Sequence, residues 1–195
     1  MYKRTHNDHI QKLVLSGMFA AVLAVISQLQ IPMPSGMPLT LQTYAVALIG
    51  FVLGSRYGVA SVAIYILLGA VGLPVFTGFG GGFGKLFGVT GGFIWGFLVL
   101  AAACGFSGRA VYGGAPVSVN IIWKKLQQIL VPLAGLFILH LLGSVQFSLV
   151  MQMELREAVL LASAPYWVKD ILSVLAAFIT MKAIRRRLNA VIHFE

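Results

Sequence analysis

The residue that most clearly indicates chemistry in this sequence is Asp170, which stands at the start of the last apolar segment. An ionisable side chain at a membrane segment is costly unless it is paired or faces a polar cavity. We therefore expect Asp170 to accept hydrogen bonds from N–H groups of a ligand. Two structural alternatives are a carboxylate that complements the dipole of a helix N-terminus and a local ion pair with Lys169 or Arg156.

Two lysines are the cations predicted to lie on the same side of the molecule as this carboxylate. Lys85 and Lys169 could each meet a ligand carboxylate through charge-assisted hydrogen bonds, although for Lys169 we favour contact with solvent or lipid headgroups. Gly84 followed by Lys85 resembles part of a phosphate-binding loop. That motif requires glycine where Phe79 stands and Ser or Thr where Leu86 stands. The sequence therefore predicts no nucleotide site, and if transport is driven by ATP, another subunit must supply the hydrolysis.

The segment 72–92, GLPVFTGFGGGFGKLFGVTGG, is the least helix-like part of the chain. Glycine-dense sequence has low helix propensity, and non-helical backbone at membrane depth is tolerated only where protein or a water-filled cavity shelters it. We therefore interpret this segment as a binding surface, with a mobile connector as the alternative. Its predicted binding residues are Gly82 and the phenylalanines that could form apolar walls, Phe76, Phe79, Phe83 and Phe87.

The segment 30–42, QIPMPSGMPLTLQ, contains three prolines, which forbid a continuous helix. They predict a short, stiff loop that could cap a cavity. Thr40, Gln42 and Thr43 then bring neutral donors and acceptors to the start of the next apolar segment, where they suit a polar uncharged ligand group. The same residue types also make a good helix start.

Small residues recur at spacings of three and four in the first apolar segment, at Gly17, Ala20, Ala21 and Ala24. Such a stripe lets another helix approach closely. That helix could belong to this bundle or to a separate membrane subunit. His140 lies in the middle of a later segment, and we expect it to form an interhelical hydrogen bond rather than to relay protons.

The composition indicates an integral membrane protein. Of the 195 residues, 59% are hydrophobic and 10% are charged, and the mean hydropathy is +0.93. A soluble fold of this length could not bury so much apolar surface. The net charge of +9 comes from basic residues at the ends of apolar runs, a pattern of membrane orientation and not of nucleic-acid binding. A lone Cys104, without a catalytic pair or ligand cluster in the spans, predicts no enzyme, metal site or cofactor.

Six apolar segments predict an all-α protein with a single membrane domain over residues 1–195 and six transmembrane helices. The predicted spans are 13–29, 41–53, 59–73, 91–105, 129–150 and 171–184. With both termini in the cytoplasm, only Lys85, Arg156 and Lys169 of the 14 basic residues lie outside, as the positive-inside rule favours. The basic residues predicted inside are Lys3, Arg4, Lys12, Arg56, Arg109, Lys124, Lys125, Lys182, Arg185, Arg186 and Arg187.

Two stretches carry a family resemblance. The runs PLTLQTYAVALIGFVLGSRYG and IYILLGAVGLPVFTGFGGGFGKLFGVTGGFIWGF resemble the BioY family, the biotin-binding S components of energy-coupling factor (ECF) transporters. The resemblance implies a six-helix S component in a prokaryotic plasma membrane that captures biotin outside. It also implies a transmembrane T subunit and two cytosolic ATPases as partners. The family docks through small residues of its first helix, which map onto Ala20 and Ala24.

The resemblance also implies roles for individual residues. Asp170 would accept the ureido N–H groups of biotin, the phenylalanines would enclose the ring, and Lys85 would meet the valerate carboxylate. The family usually has glycine before this aspartate and lysine three positions after it, whereas this chain has Lys169 and Ser173. We therefore expect Lys169 or Lys85 to replace the missing cation, unless the ligand binds differently.

Two other functions stay open at the level of sequence. A stand-alone secondary carrier would normally place coupling ionisable groups near the bilayer midplane, where this chain has only His140. An S component for a different small vitamin-like solute would share the fold and change the contacts.

Overall fold

The computed structural model describes residues 6–33, 37–112 and 121–188. Nearly all of this is helix. The elements in chain order are α1 (His6–Ile26), β1 (Gln30–Ile31), β2 (Leu39–Thr40), α2 (Gln42–Ala70), α3 (Phe83–Phe87), α4 (Gly91–Tyr112), α5 (Ile121–Met151), α6 (Leu155–Ala162), a 3₁₀ turn (Ala164–Tyr166) and α7 (Trp167–Leu188).

Helix α2 is a hairpin of two arms, 42–53 and 55–70. Gly54 separates the arms with φ 79° and ψ 172°, a conformation that L residues rarely adopt. The Gln42 amide donates to the Tyr65 hydroxyl at 3.0 Å, whereas a straight helix would separate these residues by about 35 Å. The predicted break between the second and third spans is therefore confirmed.

Helix α4 packs against both α2 and α5 and forms the centre of the bundle. Its Gly105 faces the turn of the α2 hairpin, where a Cβ atom would lie 2.2 Å from the Ser55 nitrogen. Only glycine permits this approach of the two backbones. Buried side chains such as Val52, Leu100 and Leu136 fill the core between the helices.

The outer surface of the bundle is apolar. Leu13, Leu67, Leu149 and Ile179 are each more than half exposed, which suits a lipid environment. Among the described residues, three helices are long and apolar enough to cross a membrane, 42–70, 91–108 and 126–151, and 10–26 is a shorter apolar helix. With the two arms of α2 counted separately and α7 added, these helices number six. The predicted six-helix membrane bundle is therefore confirmed.

Several boundaries differ from the predicted spans. Helices α4, α5 and α7 extend past their apolar segments, and α1 ends at Ile26, because polar residues at a membrane interface can continue or end a helix. The glycine-rich segment does contain one short helix, α3. Lys3 and Arg4 lie outside the described residues. The side chains of some other basic residues also lie outside the described part of the chain, and they are Arg109, Lys124, Lys125, Arg185, Arg186 and Arg187.

The short elements gather at one end of the bundle. β1 and β2 form an antiparallel pair in which Gln30 lies opposite Thr40, and α3, α6 and the 3₁₀ turn lie at the same end. The turn at Gly54 lies at the opposite end, near the Ser16 hydroxyl, which donates to the Tyr57 carbonyl oxygen at 3.3 Å. That the end carrying the short elements faces the outside stays a prediction from the basic residues.

Candidate ligand-binding site

A cavity of about 420 Å³ opens among the short elements. Parts of the segments 30–43, 76–97, 139–140 and 162–170 line it. Pro32, Met33, Met37 and Pro38 border it, so the described part of the proline-rich segment lies at the cavity. The volume lies within the range of about 300–1,000 Å³ that is typical of small-molecule sites.

The apolar wall of the cavity is built around Phe76. Its buried ring meets the edge of Tyr65 at 5.4 Å between centroids and lies against Gly69, where a Cβ atom would overlap the ring. Contacts with Tyr65 and Gly69 therefore hold the Phe76 ring in place. Phe93 and Phe97 of α4 complete this side of the cavity.

The other predicted phenylalanines lie elsewhere. Phe79, Phe83 and Phe87 are 72%, 65% and 68% exposed and do not line the cavity. Positive φ angles at Gly78 and Phe79 turn the chain, so that alternate side chains do not share one face. Gly82 also lies off the cavity, and its N–H donates to the Gly69 carbonyl oxygen at 2.6 Å.

Gln28, at the end of α1, holds this glycine-rich segment in place. Its amide nitrogen donates to the carbonyl oxygens of Val75 and Phe76 at 3.2 and 3.3 Å. Its amide oxygen accepts the Phe79 N–H at 2.8 Å. The backbone near the cavity is thus tied to the first helix of the bundle.

Asp170 is 4% exposed and borders the cavity, together with Thr43. The Lys169 ammonium contacts its Oδ1 atom and also donates to the Thr40 carbonyl oxygen at 2.9 Å. Lys169 is therefore held by protein groups, and the expectation that solvent or lipid headgroups take it up is wrong for this structure. The pair joins the start of α7 to β2.

His140 of α5 lies on the far side of the same carboxylate. Its Nε2 atom is 3.3 Å from Asp170 Oδ2, and its Nδ1 atom is 2.8 Å from Ser163 Oγ. The ring stacks on Trp167 at 4.8 Å between centroids and meets the Phe93 ring edge to face. The expected interhelical role of His140 is thus seen, with partners from three other parts of the fold.

A second polar cluster centres on Gln42. The amide nitrogen of this buried residue donates to the hydroxyl oxygens of Ser27 and Tyr65, each at 3.0 Å. Its amide oxygen accepts hydrogen bonds from Thr40 at 3.2 Å and from Thr77 at 3.0 Å. Two donors and two acceptor sites are thereby used, so Gln42 borders the cavity with no hydrogen-bonding capacity left over.

Lys85, in α3, is exposed and lines the cavity. Its side chain lies over Gly80, where a Cβ atom would come within 2.7 Å of Lys85 Cε. Its ammonium group forms no ion pair with any residue in the described ranges. It is placed to meet an anionic group at the cavity.

The small residues of α1 divide between two faces. Ala20 is fully buried in the core and Ala24 is half-buried, whereas Gly17 and Ala21 are exposed. The position of Gly17 is open, since a Cβ atom there would meet nothing within 4 Å among the described atoms. The stripe of small residues therefore packs inside the bundle on one side and leaves a smooth exposed face on the other.

Comparison with known proteins identifies the family. The model of the BioY family matches residues 2–190. The chain belongs to the BioY family. "Biotin transporter BioY" of Thermotoga maritima is 34% identical over 89% of this chain and 95% of that protein. "Biotin transporter BioY2" of Lactococcus lactis subsp. cremoris is 32% identical over 94% of each.

A solved BioY-like fold agrees with the architecture. The crystal structure of an S-component for biotin from an ECF-type ABC transporter matches with a TM-score of 0.78 and 22% identity. The match covers 93% of this chain and 94% of that chain. At this identity the match supports the shared helical fold and not the individual contacts.

Sequence reasoning did not assign several residues to this BioY-type cavity. Met37, Phe93, Ser163, Tyr166 and Trp167 either line it or support its lining. The Tyr166 hydroxyl donates to the Met37 carbonyl oxygen and so links the 3₁₀ turn to the residues that precede β2. The available signal was aromatic residues beside Asp170, which also fit a membrane-interface role.

Proposed function

We propose that this chain is the substrate-capture S component of an ATP-driven ECF importer and that it binds biotin at the extracytoplasmic face of a prokaryotic plasma membrane. It performs no chemical reaction itself. A transmembrane T subunit and two cytosolic ATPases would supply energy. Membership of the BioY family and the printed names of its relatives support this function.

The observation that carries the proposal is the distribution of polarity around the cavity. The lining combines the buried Asp170 carboxylate, an aromatic wall and the exposed Lys85 ammonium. Biotin has groups that match these in kind, with ureido N–H donors, an apolar fused ring and a terminal carboxylate. Asp170 would accept the N–H groups and Lys85 would meet the carboxylate.

The fused ring of biotin would lie between Phe76 and Phe93, which face the cavity from different segments. Lys169 would act through Asp170, because its ammonium is already held by that carboxylate and by the Thr40 carbonyl oxygen. Lys85 is then the cation that replaces the missing family lysine at Ser173.

For docking to the T subunit, the exposed face of α1 at Gly17 and Ala21 offers the closest backbone approach. Ala24, which is half-buried, borders this face, whereas the buried Ala20 would support it from within.

The test is calorimetric titration of the purified full-length protein in lipid nanodiscs with biotin, and with thiamine and riboflavin as controls. We expect saturable binding of one biotin per chain and no binding of either control. Absence of biotin binding by protein with a cooperative thermal transition would contradict the proposal. Binding of thiamine or riboflavin instead would indicate an S component for another vitamin.

A further inference from the structure

His140 occupies a position that its packing alone does not explain. Its side chain is 3% exposed, yet it lines the cavity beside Asp170. The stacked ring of Trp167 and the edge-on ring of Phe93 hold the imidazole in one orientation. A buried imidazole carries a donor and an acceptor, and each requires a partner.

The groups on either side of His140 favour a hydrogen on Nε2. Asp170 Oδ2 lies 3.3 Å from Nε2 and, as a carboxylate oxygen, can only accept. With the hydrogen on Nε2, the Nδ1 atom can accept from the Ser163 hydroxyl, 2.8 Å away, while Trp167 Nε1–H donates to Ser163 Oγ at 3.1 Å.

The Nε2–H group has no aligned acceptor among the residues that the structure describes. Asp170 Oδ2 lies 3.3 Å away, but the N–H bond does not point along the line between the two atoms. Asp170 Oδ1 is paired with the Lys169 ammonium, and a carboxylate can accept further hydrogen bonds beside such a pair. A buried N–H group without an aligned acceptor is unfavourable. A ligand that supplied the acceptor would remove this penalty.

We infer that His140 contacts the ligand and donates its Nε2–H to a carbonyl oxygen, while the neighbouring Asp170 accepts an N–H from the same group. The inference rests on the proposed function and adds a specificity-determining residue to it. A donor and an acceptor side by side match a urea or cyclic amide, in which C=O and N–H are adjacent. A thioether ring or an aliphatic chain offers neither.

The experiment compares biotin with 2-thiobiotin, in which sulfur replaces the ureido oxygen and is a weaker acceptor. Both ligands are titrated into wild-type protein and into His140→Phe, which keeps a flat ring beside Trp167 and removes the N–H. We expect His140→Phe to weaken biotin binding about tenfold and to weaken 2-thiobiotin binding much less. The preference for biotin over 2-thiobiotin should therefore shrink.

His140→Gln is the matched control, because its amide keeps an N–H donor at the end of a side chain of similar reach. It should retain most of the wild-type preference. If His140→Phe does not fold, His140→Met gives the same comparison without an N–H donor. An equal loss for both ligands would mean that His140 only supports the structure, and no loss would remove it from the site. Either result overturns the inference while wild-type binding of biotin leaves the proposed function intact.

Discussion

Two polar clusters lie at the same end of this bundle, and they differ in how completely their hydrogen bonds are satisfied. In the Gln42 cluster, both amide hydrogens and both acceptor positions of the central residue are used by neighbouring side chains. In the Asp170 cluster, the Lys169 ammonium pairs with Asp170 Oδ1, but His140 Nε2 lacks a well-aligned hydrogen bond within the described part of the chain.

We interpret the Gln42 cluster as a scaffold that stabilises the fold and the Asp170 cluster as part of the proposed binding site. Buried polar groups are normally satisfied, so a saturated cluster stabilises the fold without help from a ligand. An unsaturated cluster beside a cavity gains stability when a ligand supplies the partners. Both clusters border the same cavity, and we expect the ligand to bind at the second. Variants of the Asp170 cluster should therefore lose mainly affinity, and variants of the Gln42 cluster should lose mainly stability.

The largest effect is expected from Asp170→Asn. The change keeps the size of the side chain, removes the charged acceptor and replaces one oxygen with a donor that faces the ureido N–H groups. Biotin affinity should fall about 100-fold, since hydrogen bonds to charged groups contribute more than neutral ones. The measurement is calorimetric titration, with the thermal transition as the folding control. Unchanged affinity in a folded variant would exclude Asp170 from the site.

The reverse profile is expected from Gln42→Leu. The substitution leaves the hydroxyl groups of Ser27, Tyr65 and Thr77 without their amide partner inside the bundle. We expect the apparent Tm of the ligand-free protein to fall by about 5 °C. Biotin affinity should change by much less than in Asp170→Asn. Tyr65→Phe removes a single hydroxyl and should show a smaller shift, and a loss of affinity without a loss of Tm would contradict the scaffold role.

Much of the fold was predictable because the bilayer imposes simple rules. Apolar length located all six helical segments, and the turn inside α2 at Gly54 falls in the gap between the predicted spans 41–53 and 59–73. Helix α6 was not predicted, because its residues Leu155–Ala162 lie between spans and their helical pattern is too short to stand out. Its formation depends on packing of Ala158 and Ala162 under the β1–β2 connection.

The candidate site was predictable where one residue is unusual in its own segment. Asp170 is a carboxylate at the start of an apolar run and Lys85 is the one charged residue of the segment 72–92, and the structure places both at the cavity. The contact of His140 with Ser163 joins residues 23 positions apart and depends on how α5 packs against the turn after α6. Phe79 was misplaced for a local reason, since its own φ of 54° turns its side chain away.

A moderate effect on affinity is expected from Lys85→Gln. Lys85 is exposed, so solvent screens its attraction for a carboxylate, and biotin binding should weaken about three- to fivefold. Biotinamide, which lacks the carboxylate, should bind the variant and the wild type equally. Lys85→Arg keeps the charge and serves as the control. An equal loss for biotin and biotinamide would show that Lys85 does not meet the carboxylate.

The most local effect is expected from Gln28→Leu, which tests whether Gln28 controls the glycine-rich segment 72–92. Loss of the Gln28 amide oxygen frees the Phe79 N–H, and hydrogen exchange at that amide should accelerate about tenfold because its protection comes from this one bond. The amides of Phe76 and Gly80 bond to each other's carbonyl oxygens and provide internal controls in the same peptide region. Faster exchange at all three would mean that Gln28 holds the whole segment shut, so that α1 and the cavity move together. Faster exchange at Phe79 alone would limit Gln28 to a local clamp.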